Sequence, residues 1–178
     1  MKKKTINVQS EGETKILAES FIEYVQNGAI ILLYGDLGSG KTTFVQHIAK
    51  ALGIEKPVLS PTFPIIKQYV ILSRFDKLTV NSAKELDSSA KPQNDIRIFY
   101  HIDLYRMETE QDVQNIGIQD ILTEPNAIIA IEWAEKLGSL LPKKRWDIHF
   151  EYVDEFKRKI TIEKFEARNP KSETNSNV

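Results

Sequence analysis

The sequence has 178 residues, enough for one domain with an apolar core and too few for two. It carries 24 Lys and Arg residues against 25 Asp and Glu residues, and the formal net charge of -1 excludes a protein that holds nucleic acid through an overall excess of cations. Cysteine is absent, which excludes disulfides and thiolate metal sites, and no apolar run approaches the roughly 18 residues of a membrane span, so we expect a cytoplasmic protein.

The first part of the chain reads as strand, helix, strand, loop and helix. The predicted elements are a strand at residues 5–9, a helix that the capping-box pair Ser10 and Glu13 opens and Asn27-Gly28 ends, a strand at residues 29–34 and, after a glycine-rich loop, a helix that Gly53 ends. The strand at residues 29–34 is continuously apolar, which is typical of a strand buried on both faces of a sheet.

The rest of the chain alternates buried strands with helices and one polar insertion. It predicts one or two short strands at residues 62–71, a long polar loop insertion at 72–95, a strand at 96–103, a helix at 108–122 that Gly117 interrupts, a buried strand at 127–133, a hairpin from 146–153 and 157–165, and a disordered polar tail at 167–178. This order predicts one α/β domain over residues 1–166, with a central mixed β-sheet flanked by helices.

The glycine-rich loop carries the pattern G-x-x-x-x-G-K-[ST] without a gap. It follows an apolar strand and opens an amphipathic helix, the context in which such a loop binds phosphates through backbone N–H groups and a helix N-terminus. A P-loop NTPase-like fold is therefore expected, in which Lys41 reaches the β- and γ-phosphates and the Thr42 hydroxyl ligates Mg²⁺. The predicted nucleotide-binding residues in this stretch are Gly35, Asp36, Leu37, Gly38, Ser39, Gly40, Lys41, Thr42 and Thr43.

Hydrolysis of a bound nucleotide also needs a carboxylate near the metal ion, and two acids end apolar strands. Asp103 and Glu132 each stand where a buried strand opens into a ligand crevice, so either is a candidate for the metal-side acid. The competing interpretations are a turn-forming aspartate and a charged surface cap of a strand. Among the histidines, only His101 lies beside a candidate acid, and no cluster indicates a metal cage made of protein side chains.

A short segment after the loop helix, "SPTF", offers the free hydroxyl of Thr62. Pro61 keeps the residue before it extended, so the segment does not continue the helix. A rigid loop of this kind can sense a γ-phosphate, or it can be an ordinary connecting turn, and spacing alone leaves the two interpretations even.

In chain order, "GDLGSGKTTF", "SPTF", "HIDLYR" and "IEWAEK" resemble the TsaE family over nearly the whole folded chain. The resemblance implies an ATPase needed for threonylcarbamoyladenosine in tRNA. Such a protein does not transfer the threonylcarbamoyl group itself. It acts on the TsaD–TsaB pair, contacts tRNA only indirectly, and hydrolyses ATP weakly without those partners.

The same resemblance implies roles for individual residues. The loop that ends at Thr42 would bind ATP, Thr42 and Glu132 would serve Mg²⁺, and Asp103 would be a further metal-side or catalytic acid. Lys41, Asp103 and Glu132 are thus the catalytic candidates. Thr62 would lie in the switch-like loop and Trp133 near the nucleotide or the partner surface.

The sequence departs from the family pattern in a longer gap between Phe63 and His101, in His47 where small residues are common, and in Ala134 in place of a frequent proline. None of these changes touches the phosphate chemistry.

Two other classes stay open beside the ATPase. A small nucleoside or nucleotide kinase fits the length and the loop, but it would need several arginines, and the long insertion offers only Arg74. A nucleotide-binding regulator without turnover is the nearer alternative. A GTPase is disfavoured because no [NT]KxD segment is present. The residues that would hold adenine are not evident, although the turn near Ser10 and the hairpin at 154–158 are expected nearby.

Overall fold

The computed structural model describes residues 3–25, 28–58, 65–71 and 97–166. The strands are β1 (Lys3–Val8), β2 (Ile30–Tyr34), β3 (Ile66–Ile71), β4 (Arg97–Asp103), β5 (Ala127–Glu132), β6 (Arg145–Tyr152) and β7 (Arg158–Phe165). The α-helices are α1 (Glu11–Phe21), α2 (Lys41–Ala51), α3 (Glu110–Asn115) and α4 (Ile118–Leu122), and short 3-10 helices cover Ile22–Tyr24 and Ala134–Leu140. Thr62, the insertion at 72–95 and the tail at 167–178 lie outside the described residues.

The strands of the described residues form one mixed sheet in the order β1-β7-β6-β2-β5-β4-β3. The inner strands β6, β2, β5 and β4 are parallel to their neighbours in this group. The outer strands β3, β7 and β1 pair antiparallel. The predicted α/β fold with a mixed sheet and a C-terminal hairpin is therefore confirmed. The extent of the domain, residues 1–166, stays a prediction.

Strand β2 lies at the centre of the sheet and is buried on both faces, as its apolar run predicts. Ile31 and Leu33 pack into an apolar cluster with α1 and α2 on one face. Ile30 and Leu32 pack into a second cluster with α3 and α4 on the other face. Because side chains alternate along a strand, β2 contributes residues to the apolar clusters on both faces of the sheet.

Local sequence signals define most helix ends. The Ser10 side chain accepts a hydrogen bond of 3.2 Å from the backbone N–H of Glu13, so α1 begins at the predicted cap. Gly117, with φ of 72°, separates α3 from α4, which confirms the predicted interruption. The predicted end of the first helix is too late, because the helical backbone already ends with the 3-10 turn, and Val25 is extended.

The register of the parallel strands brings their carboxyl ends to one edge. Glu132 at the end of β5 is the register partner of both Asp103 on β4 and Leu33 on β2. The glycine-rich loop leaves β2 at this same edge. In the described part of the chain, no helix is long and apolar enough to cross a membrane.

Candidate functional site

The glycine loop (residues 35–40) joins β2 to α2 and passes close to β6. Gly35 has φ of 136°, and a Cβ atom there would lie 2.4 Å from the carbonyl oxygen of Phe150. Gly40 is the N-cap of α2 with φ of 104°, and no side chain caps the helix. The first N–H groups of α2 are therefore available to an anion at the end where the helix dipole favours negative charge.

Lys41 is the first residue of α2, and its ammonium group is fixed inside the site. Nζ donates hydrogen bonds to the carbonyl oxygens of Gly35 at 2.5 Å and Asp36 at 2.9 Å, and it lies 4.1 Å from the centre of the Trp133 ring. The pKa of Lys41 is lowered from its usual value, chiefly because the side chain is buried. The negative charge of Glu132 opposes this shift but does not cancel it. An ammonium group has three N–H donors, so one remains for a further acceptor.

Glu132 ends β5 inside the protein, with only 2% of its surface exposed. Its Oε2 accepts a hydrogen bond of 2.8 Å from the hydroxyl of Thr42, the second residue of α2. This burial excludes the alternative that Glu132 is a charged cap at the protein surface. The structure thus brings together Thr42 and Glu132, two of the three residues that were expected to bind the metal.

The other oxygen of Glu132 is also engaged. Its Oε1 lies 2.8 Å from Nε2 of His101, a fully buried side chain on β4. In the sequence, His101 stands beside a candidate acid, but no motif assigns it a role. The usable signal was its spacing: residues two apart on a strand share a face, so His101 shares the face of Asp103.

Asp103 fits both of its sequence interpretations. Its Oδ1 accepts a hydrogen bond of 3.0 Å from the backbone N–H of Tyr105, as in a turn that an aspartate stabilises. It also lines the same cavity as Lys41 and Glu132. Asp103 therefore combines a turn-forming role with a position at the site.

Trp133 follows Glu132 with φ of 59°, a left-handed conformation that no other described non-glycine residue adopts. Strand β5 consequently ends at Glu132, one residue earlier than predicted. The ring of Trp133 contacts the ring of Tyr105, with centroids 5.1 Å apart, and packs against Lys41. The indole therefore forms one wall of the cavity that contains Lys41.

These groups surround a cavity of about 310 Å³, which we call the first cavity. Most of the predicted nucleotide-binding residues line it, whereas Gly35 and Asp36 contribute through their carbonyl contacts with Lys41. Its lining comprises Leu37, Gly38, Ser39, Gly40, Lys41, Thr42, Thr43, Ile65, Asp103, Tyr105, Arg106, Glu132 and Trp133. Ile65, Tyr105 and Arg106 are lining residues that were not predicted, although the last two stand in the "HIDLYR" motif.

A second cavity of about 190 Å³ lies on the other side of the glycine loop, and Ser39, Gly40 and Thr43 line both. Glu11 and Thr14 of α1 line it as well. The β6–β7 hairpin completes it with Phe150, Glu155, Phe156, Arg158 and Ile160. The start of α1 and this hairpin are the two regions that were expected near adenine from the sequence.

Arg158 connects the hairpin to the glycine loop. Its guanidinium donates hydrogen bonds to the carbonyl oxygens of Ser39 at 3.1 Å and Asp154 at 2.7 Å. It also stacks on Tyr152, with the guanidinium carbon 4.6 Å from the ring centre. Ser39 lies 119 residues away in the chain, so local sequence patterns carry no signal for this contact.

The side-chain atoms that could coordinate a metal ion at the first cavity suit a hard divalent cation such as Mg²⁺. Thr42, Glu132 and Asp103 offer only oxygen atoms, which Mg²⁺ prefers. Among the described residues, no group of three or more His, Cys, Asp or Glu side chains could hold a metal ion by itself. This donor set therefore fits an ion that takes its remaining ligands from phosphate and water.

Comparisons with known proteins agree on one family. The model described as "Threonylcarbamoyl adenosine biosynthesis protein TsaE" matches residues 8–160. The tRNA threonylcarbamoyladenosine biosynthesis protein TsaE of Bacillus subtilis is 31% identical over 162 residues, which cover 91% of this chain and 84% of that protein. Its namesake from Aquifex aeolicus is 32% identical over 163 residues, which cover 89% and 95%.

A solved structure shares the fold. The crystal structure of YdiB from Bacillus subtilis matches with a TM-score of 0.64 and 27% identity, and the match covers 93% of this chain and 87% of that chain. The residues that line the first cavity all lie within the span matched by the family model.

Proposed function

The chain belongs to the TsaE family of threonylcarbamoyl adenosine biosynthesis proteins, and on this basis we propose that it binds and hydrolyses ATP with Mg²⁺. The observation that carries the proposal is the contact of Thr42 with Glu132 beside the buried Lys41. A loop that only bound an anion would have no need of a buried carboxylate at this place. An acid there suits a metal-assisted reaction of a phosphate chain.

The polar groups of the glycine loop and the strand ends divide the work of this proposal. The N-terminal N–H groups of α2 and the free N–H of Lys41 bind the phosphates. Thr42 and Glu132 hold Mg²⁺, which when bound neutralises charge that develops on the phosphate oxygens. Asp103 lines the same cavity and would orient water or accept a proton, and Trp133 would cover the Lys41 side of the site.

The adenine base is proposed to occupy the second cavity. That cavity shares Ser39, Gly40 and Thr43 with the first, so one nucleotide can extend from one to the other across the glycine loop. Phe156 offers an exposed ring for stacking, and the Glu155 carboxylate can accept a hydrogen bond from an exocyclic amine.

The biological role proposed for the hydrolysis is to support turnover of the TsaD–TsaB pair in tRNA modification. Family membership supports this role. The net charge of -1 agrees with a protein that reaches tRNA through partners rather than by itself.

The kinase alternative receives little support from the site. Arg106 is the single arginine among the described residues that line the first cavity, whereas phosphoryl-transfer enzymes surround the moving group with several cations. A regulator that binds ATP without turnover differs from the proposal only in rate, so measurement has to separate them.

The deciding experiment measures ATP hydrolysis with the protein alone and with purified TsaD–TsaB, for the wild type and for Glu132→Ala. We expect stimulation of the wild type by the partners, and a Glu132→Ala variant that still binds ATP but turns it over at least about 100-fold more slowly. Phosphate transfer to a nucleoside would establish a kinase. Binding without hydrolysis in the presence of both partners would establish a regulator.

A further inference from the structure

His101 is an unusual residue for the interior of a sheet. It lies on β4 between apolar neighbours, and its side chain is 0% exposed. A buried imidazole loses its contacts with water, so it is tolerated only where it gains a strong partner. Its Nε2 has such a partner in Glu132, whereas Nδ1 is buried without a hydrogen-bond partner among the described residues.

The side chains of Thr42, Glu132 and His101 are linked by two consecutive hydrogen bonds. The hydroxyl of Thr42 donates to one oxygen of Glu132 at 2.8 Å, and His101 contacts the other oxygen at 2.8 Å. A carboxylate can only accept, so the hydrogen between His101 and Glu132 belongs to Nε2. Two donors on opposite oxygens determine the rotation of the carboxylate about its last torsion angle.

The strands and the helix that contain these three residues also fix their relative positions. His101 pairs in register with Ala130, two residues before Glu132 on the adjacent parallel strand. Thr42 belongs to the first turn of α2, the helix packed on the same face of the sheet. Each member therefore stands on a rigid element, which limits displacement of the carboxylate more than a loop would.

We propose that His101 is a positioning residue for Glu132: it occupies Oε1, so that Oε2 alone is presented to Thr42 and to the cation beside it. The proposal rests on the proposed function, because it assumes that Glu132 serves Mg²⁺. Without His101, only Thr42 would hold the carboxylate, and its inner oxygen would be buried without a donor. Partners of this kind behind a metal ligand typically contribute about 10- to 100-fold in metal affinity.

The test uses three substitutions of His101 in the full chain. Leu fills the space without a donor. Gln carries its amide nitrogen at about the distance of Nε2 and can donate to Glu132, whereas Asn is polar but too short to reach. Calorimetric titration measures the affinity for a non-hydrolysable ATP analogue at increasing Mg²⁺ concentrations and in the absence of metal.

We expect His101→Leu and His101→Asn to raise the Mg²⁺ concentration for half-maximal binding about 10- to 100-fold. His101→Gln should stay close to the wild type. Affinity without metal should change less than about twofold in all three, because the loop amides and Lys41 bind the phosphates. If His101→Leu does not fold, the comparison of Asn with Gln carries the same test.

A double-mutant cycle with Glu132→Ala shows whether His101 acts through the carboxylate. The effect of His101→Leu on the Mg²⁺ requirement should disappear when Glu132 is already absent. An effect that persists in the Glu132→Ala background overturns the inference. So does an equal loss of affinity with and without metal, which marks a general role in folding, or a His101→Leu variant with the wild-type Mg²⁺ requirement.

Failure of the proposed function itself gives a different result. In that case the wild type itself would either not bind the analogue or bind it equally well with and without Mg²⁺, and this result is seen before any variant of His101 is compared.

Discussion

The two cavities on either side of the glycine loop are built in different ways. In the first, the charged groups Lys41 and Glu132 are buried and each has partners at 2.5–2.9 Å. In the second, the hairpin contributes the buried side chains of Phe150 and Ile160, but its turn is at the surface, and Phe156 is 67% exposed. The difference teaches that the rigid ends of parallel strands carry the groups whose positions decide chemistry, and that a surface hairpin carries groups for which contact is enough.

Lys41→Ala should have the largest effect, because it removes the buried positive charge of the first cavity. Loss of one preorganised donor to a transferring group typically costs about 100- to 1,000-fold in rate, and we expect a fall of this size in ATP hydrolysis with the partners present. Single-turnover hydrolysis measures it. Val153→Ala, a change on the exposed hairpin, is the control, and a Lys41→Ala variant of normal activity would show that the buried charge has no catalytic part.

Gly35→Ala should have the next largest effect, because Gly35 lies where the glycine loop packs closely against β6. The added Cβ would meet the Phe150 carbonyl oxygen at 2.4 Å, at φ of 136°. We expect the free energy of unfolding to fall by about 3 kcal/mol in urea denaturation without nucleotide.

The matched control for that change is Gly38→Ala. Gly38 also has a positive φ, 76°, but an added Cβ there meets no atom within 4 Å. Gly38→Ala should lower the free energy of unfolding by only about 1 kcal/mol, because alanine is less stable than glycine in a left-handed conformation. Equal destabilisation by the two variants would mean that the close approach to β6 is not what requires glycine at position 35.

Arg158→Ala tests the connection between the two cavities and should have a smaller effect. It removes the bond to the Ser39 carbonyl and the support of the hairpin, so we expect about tenfold weaker ATP binding, which corresponds to about 1.4 kcal/mol. Fluorescent-nucleotide titration measures this affinity. Lys157→Ala removes the neighbouring exposed cation and should bind within about twofold of the wild type. Similar losses in both variants would indicate that charge alone matters.

Phe156→Ala should have the smallest effect, since an exposed ring offers only partial stacking. We expect ATP affinity to fall about threefold, with no change in the free energy of unfolding. The same titration with ATP and with inorganic triphosphate separates base from phosphate contacts. A loss that is equal for both ligands would place the base elsewhere.

The sequence predicts the first cavity far better than the second. The glycine loop, the buried strands and Glu132 follow from local patterns, since each is defined by residues close together in the chain. The contacts of His101 and Arg158 do not follow from such patterns, because their partners lie 31 and 119 residues away and depend on strand register and hairpin geometry. The early end of α1 was missed because the stop signal at Gly28 describes the turn before β2 and not the helix itself.

Trp133, at the left-handed turn after β5, can serve as an intrinsic fluorescence probe of the first cavity. The chain has two tryptophans, and Trp146 packs in the core against Phe21, away from the cavity lining. Trp133 lies 4.1 Å from the Lys41 ammonium, so its emission should respond when phosphates draw that charge toward themselves. A Trp146→Phe variant would leave a single emitter in the first cavity, and rapid-mixing fluorescence could then follow nucleotide arrival and product release in real time.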